Sequence, residues 1–110
     1  MPFDMSLVGK ATPPTSLPYT WRDAVLYALG VGAKQSELDY LYEGRGPHVL
    51  PSFAVVPKAG PMFDLLRRSG GDLAMLVHGG ERVRIHGAFP PAGTLHTTGV
   101  SKGMYDMRRF

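Results

Sequence analysis

Cysteine is absent from the 110 residues. With it go disulfides, thiolate metal sites and thiol nucleophiles, so packing and hydrogen bonds must hold the fold. Long apolar runs are missing too. No stretch approaches the roughly 20 residues that cross a bilayer, and no basic segment precedes an apolar one at the N-terminus as in a secretory leader. The expectation is a soluble, cytoplasmic chain with no membrane partner. Nor is there a block of one charge. The formal net charge of +3 arises from 12 Lys and Arg against 9 Asp and Glu. They are scattered rather than gathered into an aromatic-interleaved stripe, which argues against a nucleic-acid partner and suits an anionic small molecule. The four histidines show no ligand spacing, so no metal is expected. No internal repeat is visible, and the length allows one domain around a single modest core.

What is present begins with Tyr19 to Ala33, which carries a start signal, an apolar stripe and a stop signal. Thr20 followed three residues later by Asp23 reads as a capping box, with the carboxylate placed where the helix dipole favours negative charge. Trp21, Ala24, Val25, Ala28 and Leu29 share one helical face. Gly30 and Gly32 end the helix, glycine accepting the left-handed conformation of a C-cap without a Cβ clash. One buried helix is therefore predicted here, preceded by a proline-bearing extended lead-in over 1–18.

The remaining elements are shorter. Leu38 to Glu43 reads as a strand from its aromatic and aliphatic content. Val49 to Val56 is broken by Pro51, which predicts either a short strand or a helix starting near the proline. Pro61 to Arg68 is predicted helical, with Pro61 in the first turn, Met62, Phe63, Leu65 and Leu66 apolar, Arg67 and Arg68 at the C-terminus and Gly70-Gly71 as the stop. Leu73 to His78 has the near-continuous apolar character of a strand buried on both faces. Glu81 to His86 alternates charged with apolar residues, predicting a half-buried strand with Val83 and Ile85 inward. Thr94 to Val100 begins another β segment. Together these give an α+β fold.

The order of these pieces resembles a known one. Tyr-Thr-x-Arg-Asp…Leu-Tyr-Ala-Leu-Gly-Val-Gly-Ala (19–33), Tyr-Leu-Tyr-Glu (40–43), Leu-Pro-Ser-Phe (50–53), Val-His-Gly (77–79) and Phe-Pro-Pro-Ala-Gly-Thr (89–94) are similar to the N-terminal half of MaoC-like (R)-specific enoyl-CoA hydratases. These include the hydratase-2 domain of peroxisomal multifunctional enzyme type 2. The resemblance implies a hot-dog fold, a central helix wrapped by antiparallel sheet, over 19–110, in an incomplete or degenerate repeat. It further implies a division of labour. The C-terminal repeat of such enzymes carries an Asp-x-Asn-Pro-x-His motif that hydrates the enoyl double bond, and the N-terminal repeat contributes acyl-chain and CoA binding.

That motif does not occur in this chain. Asp72 and His78 are a decoy, one residue too far apart and without the Asn and Pro. A one-residue change on a strand turns a side chain to the opposite face, and acid–base catalysis depends on geometry first. No catalytic residue is therefore assigned. The resemblance places His78 and Gly79 at the CoA thioester. Here a residue without a side chain lets backbone amides approach a ligand. The alternative is a strand-end histidine bonded to backbone beside a Gly79-Gly80 hairpin turn. A family lysine after Tyr-Asp finds Met107 in the matching place, so Lys102 and Arg108 are the candidates to replace it. The outward Arg82, Arg84 and His86 read mainly as a solvated strand face, with phosphate binding the lesser reading.

The implied role is the non-catalytic half of an (R)-specific 2-enoyl-CoA hydratase or dehydratase. Its substrate would be an acyl-CoA thioester, it would need no separate cofactor, and its partner would be a catalytic hot-dog repeat in the same or another chain. Oligomerisation, with itself or another chain, is expected from the incomplete sheet. The rival reading is a stand-alone acyl-CoA-binding, structural or regulatory module without turnover.

Overall fold

The predicted helix forms where its local signals place it. In the computed structural model, which describes residues 3–107, α1 runs over Trp21–Val31. Both halves of the capping box are made. Thr20 Oγ1 accepts from the Arg22 amide at 3.3 Å, and Asp23 Oδ2 accepts from the Thr20 amide at 2.8 Å. Gly32 closes the helix in the left-handed region at φ 114°, its amide donating back to Ala28 and Leu29. Of the predicted buried face, Ala24 and Ala28 are buried and Trp21 and Val25 half-buried. Leu29 stays 50% exposed. The helix thus has a narrow small-residue seam in contact and a wider apolar flank uncovered.

Contacts group the chain into two compact units. Among the described residues, one takes 3–15, 58–80 and 97–107, and the other takes 16–57 and 81–96. The second unit contains α1, the single turn α2 (Leu38–Leu41) packed on it, and 3-10 turns at Glu43–Arg45 and Pro51–Val55. Pro51 opens its turn, as its fixed φ and missing N–H allow. Strands β1 (Thr15–Tyr19) and β2 (Gly93–Thr97) form an antiparallel pair lying almost wholly in this unit. Thr15 faces Thr97 and Ser16 faces His96, with Ser16 Oγ and His96 Nδ1 2.9 Å apart. Pro18 of the lead-in thus sits on an edge strand, where a missing donor is tolerated.

The core of this unit is aromatic. Phe53, 2% exposed, meets Tyr19, Tyr27 and Phe89 with ring centroids 5.3, 5.4 and 6.2 Å away. The inclined and edge-on arrangements suit the ring quadrupoles. The buried Tyr19 hydroxyl donates to the Pro90 carbonyl at 2.6 Å, so its polar end is satisfied.

In the first unit, α3 covers Ala59–Arg68. Pro61 lies in its first turn and is buried, Arg67 and Arg68 occupy its last turn and both reach Asp64, and Gly70 follows at φ 84°. The Thr12 amide donates to the Gly99 carbonyl at 2.8 Å while Thr12 Oγ1 accepts from the Gly99 amide at 2.9 Å. Gly99 itself abuts α3, where a Cβ would lie 3.0 Å from Pro61 Cβ and 3.3 Å from Leu65 Cδ1.

Helix and small antiparallel sheet together make an α+β chain, consistent with a hot-dog repeat. Three predicted strands do not form. Leu38–Leu41 is helical because Leu38 and Leu41 fall three apart, and Asp39 sits in its first turn. Leu73–Met75 is a 3-10 turn, since Asp72 Oδ1 accepts from the Ala74 amide at 3.0 Å and bends the chain at the start of the run. Its apolar residues are exposed rather than buried on both faces, Met75 at 78% and Val77 at 82%. Residues 81–86 make no ladder, and Val83 and Ile85 remain exposed. Alternation defines which face a strand would bury but supplies no partner for its backbone.

Candidate functional site

The site begins with the spacing of α3. Met62 and Phe63 lie one turn before Leu66, so all three flank one side of the helix. Gly70 turns the chain, the Asx turn at Asp72 redirects it, and the segment Leu76 to Gly79 then borders the same space. The result is a cavity of about 440 Å³. This lies within the size range of small-molecule sites. Its wall is Met62, Phe63, Leu66, Leu76 and Val77, and its polar rim is Lys58, His78 and Gly79. An apolar wall with a cation, an imidazole and a side-chain-free backbone in the same lining can take a ligand that has a hydrocarbon part and a polar head.

Gly79 carries no packing obligation. A Cβ built there meets nothing within 4 Å, and its φ is not in the left-handed region. The missing side chain therefore leaves the space beside the cavity open rather than meeting a need of the fold.

Of the four residues singled out from the sequence, His78 and Gly79 border this cavity together. Lys102 does not. It is exposed, and its neighbours Ser101 and Gly103 line a separate cavity of about 300 Å³ that shares Leu66. Arg108 lies outside the described residues. Lys58, unremarked in the sequence, is the cation on the rim, and its only signal was its place immediately before α3. In the sequence Met62 and Phe63 read as core residues, with pocket wall the lesser reading, and in the structure they line this cavity. Asp72 is absent from the lining, its carboxylate being used on the Ala74 amide, so the Asp72 and His78 pair is not assembled at this cavity.

A second cavity, about 370 Å³, lies in the other unit between Leu17, Tyr19, Leu26, Tyr27, Phe53 and Val56, with Asp23 on its margin. The sequence contained no cue for it, because its aromatic wall is assembled from segments far apart. Among the described residues, no three His, Asp or Glu side chains converge as a metal site. No helix there is long and apolar enough to cross a membrane.

Comparison with known proteins adds a family to this geometry. A family model described as the MFE-2 hydratase 2 N-terminal domain matches residues 17–108. The 3-hydroxyacyl-thioester dehydratase Y of Mycobacterium tuberculosis is 36% identical over 99 residues, covering 86% of this chain and 33% of that protein. A peroxisomal hydratase-dehydrogenase-epimerase of Neurospora crassa is 35% identical over 103 residues, 86% of this chain and 10% of that protein. A peroxisomal enoyl-CoA hydratase 2 of Arabidopsis thaliana is 30% identical over 111 residues, 91% of this chain and 36% of that protein. The chain thus spans about a third or less of the length of these curated relatives.

Proposed function

Starting from the premise that this chain belongs to the MFE-2 hydratase 2 N-terminal domain family, we propose that it is the non-catalytic half of an (R)-specific 2-enoyl-CoA hydratase or dehydratase. It contributes acyl-chain and CoA binding to the reversible addition of water to a trans-2-enoyl-CoA. The observation that carries this reading is the meeting of His78 and Gly79 with the apolar wall of α3 at one cavity. The names of the relatives, all hydratases or dehydratases of acyl thioesters or fusions containing a hydratase, support the same chemistry.

In this reaction a base removes a proton from water, the oxygen adds to C3, charge moves onto the thioester oxygen, and an acid protonates C2. Both proton transfers need groups within hydrogen-bond reach of the substrate. Among the described residues, the lining of this cavity supplies no carboxylate. The acid and base are assigned to a catalytic repeat, in the same polypeptide or another. This chain's share is positional. Met62, Phe63 and Leu66 receive the acyl tail, where each buried methylene is worth about 0.8 kcal/mol. The backbone at Gly79 approaches the thioester, and the cation of Lys58 meets the anionic part of CoA.

The test is a calorimetric titration with crotonyl-CoA and a long-chain enoyl-CoA, alongside loss of enoyl absorbance with and without a catalytic hydratase repeat. Binding without hydration, converted to hydration when the catalytic repeat is added, is the expected outcome. Binding that never converts favours a stand-alone acyl-CoA module. Failure of both thioesters to bind overturns the proposal.

A further inference from the structure

Two cavities of the first unit share part of their lining. The one bordered by His78 and Gly79 measures about 440 Å³, and another, of about 210 Å³, lies where Gly99 abuts α3. Pro61 and Leu65 of α3 line this smaller space together with Thr97, Thr98, Gly99 and Val100, and the function proposed above leaves it unused. Lys58 and Met62 line both. Lys58 ends in an ammonium group, which keeps to polar surroundings. Met62 is half-buried, and its side chain is the apolar partition between the cavities.

A partition made of methionine yields. The side chain is unbranched, with three rotatable bonds and a polarisable thioether, and it adapts to irregular apolar space. The helix that carries it is held close by. Pro61 is buried, and Leu65 packs on Gly99, where a Cβ would lie 3.3 Å from Leu65 Cδ1. Room for a longer ligand therefore comes from a change of Met62 rotamer while the backbone of α3 stays in place.

We propose that Met62 determines acyl-chain specificity by opening the smaller cavity to long substrates. A short acyl chain fills the larger cavity with Met62 in place. A medium or long chain turns the thioether aside and runs on into the space beside Gly99 and Val100. Each further methylene that leaves water tightens binding about fourfold, so the favoured substrates are medium- and long-chain 2-enoyl thioesters of CoA. The inference rests on the reading that the acyl tail lies against Met62, Phe63 and Leu66.

The test is calorimetric titration of the full chain with crotonyl-CoA, trans-2-octenoyl-CoA and trans-2-hexadecenoyl-CoA. Affinity should climb along this series. The diagnostic quantity is the ratio of hexadecenoyl to crotonyl affinity, which a general loss of folded protein does not move. Met62→Ile keeps the apolar volume but is stiff at χ1, and should lower the ratio about tenfold, the worth of roughly two buried methylenes. Val100 lines the smaller cavity and not the larger one, so Val100→Phe fills the extension from its far wall and should lower the ratio as well. Met62→Ala removes the partition and should preserve or raise it. If thioesters bind but the ratio is unchanged in either Met62→Ile or Val100→Phe, the partition is overturned and the proposed function stands. If no thioester binds the native chain, the proposed function falls and the partition with it.

Discussion

Replacing Phe53 by alanine should be the most damaging single change in the second unit. The ring is 2% exposed and touches three other aromatic rings. Phe→Ala changes in cores cost ~3–5 kcal/mol through lost transfer energy and the void left behind. The ring already borders the opening of about 370 Å³, so water can enter the vacated space instead of leaving it sealed. That favours the lower end, about 3 kcal/mol. Against a typical domain stability of ~5–15 kcal/mol, the unfolded fraction would rise by about two orders of magnitude. Phe53→Leu keeps most of the apolar volume and forfeits the ring-on-ring geometry, worth ~0.5–1.5 kcal/mol per pair, so its cost should be visibly smaller. Urea denaturation followed by far-ultraviolet circular dichroism, with midpoints compared at constant m-value, measures both. An alanine cost below about 1 kcal/mol, or a leucine cost equal to it, would refute the view that this cluster is the core of the unit.

Other outcomes follow from particular contacts. Thr20→Ala breaks one arm of the capping box and should cost about 1 kcal/mol in the same denaturation experiment. Gly99→Ala should be destabilising by ~1–3 kcal/mol, because the new methyl group presses on Pro61 and Leu65. Gly79→Ala should leave the denaturation midpoint unchanged, since nothing lies within 4 Å of the added carbon, while weakening enoyl-CoA binding in the titration above. Burial raises the pKa of the Tyr19 phenol. The neutral phenol is thus favoured by folding, so its stabilising contribution is complete below the pKa of an unfolded tyrosine and is lost as pH climbs through the higher folded value. A spectrophotometric titration should show a component ionising above the ordinary tyrosine range, and Tyr19→Phe should remove it.

Elements written in neighbouring residues were readable in the sequence, and those written across the chain were not. Thr20, Asp23 and Gly32 act within one helix, so α1 was legible from cap to cap. Pro61, the paired arginines and Gly70 did the same for α3. By contrast, the alternation of 81–86 describes a strand's faces without guaranteeing a neighbour, and among the described residues none is present. The apolar run from Leu73 looked buried because hydropathy carries no record of the Asx turn at Asp72 that redirects it. At the site, the Val-His-Gly motif drew attention to His78 and Gly79, which do share a cavity. Lys58 escaped notice because only the fold brings it to a cavity that residues 76–79 also line.

The double hydrogen bond between Thr12 and Gly99 also sets a schedule for biosynthesis. The segment carrying Thr12 must wait until the ribosome has delivered Gly99, 87 residues later. Everything in between emerges first, so a chain stalled before Gly99 would leave that segment without this partner and exposed to chaperones and proteases.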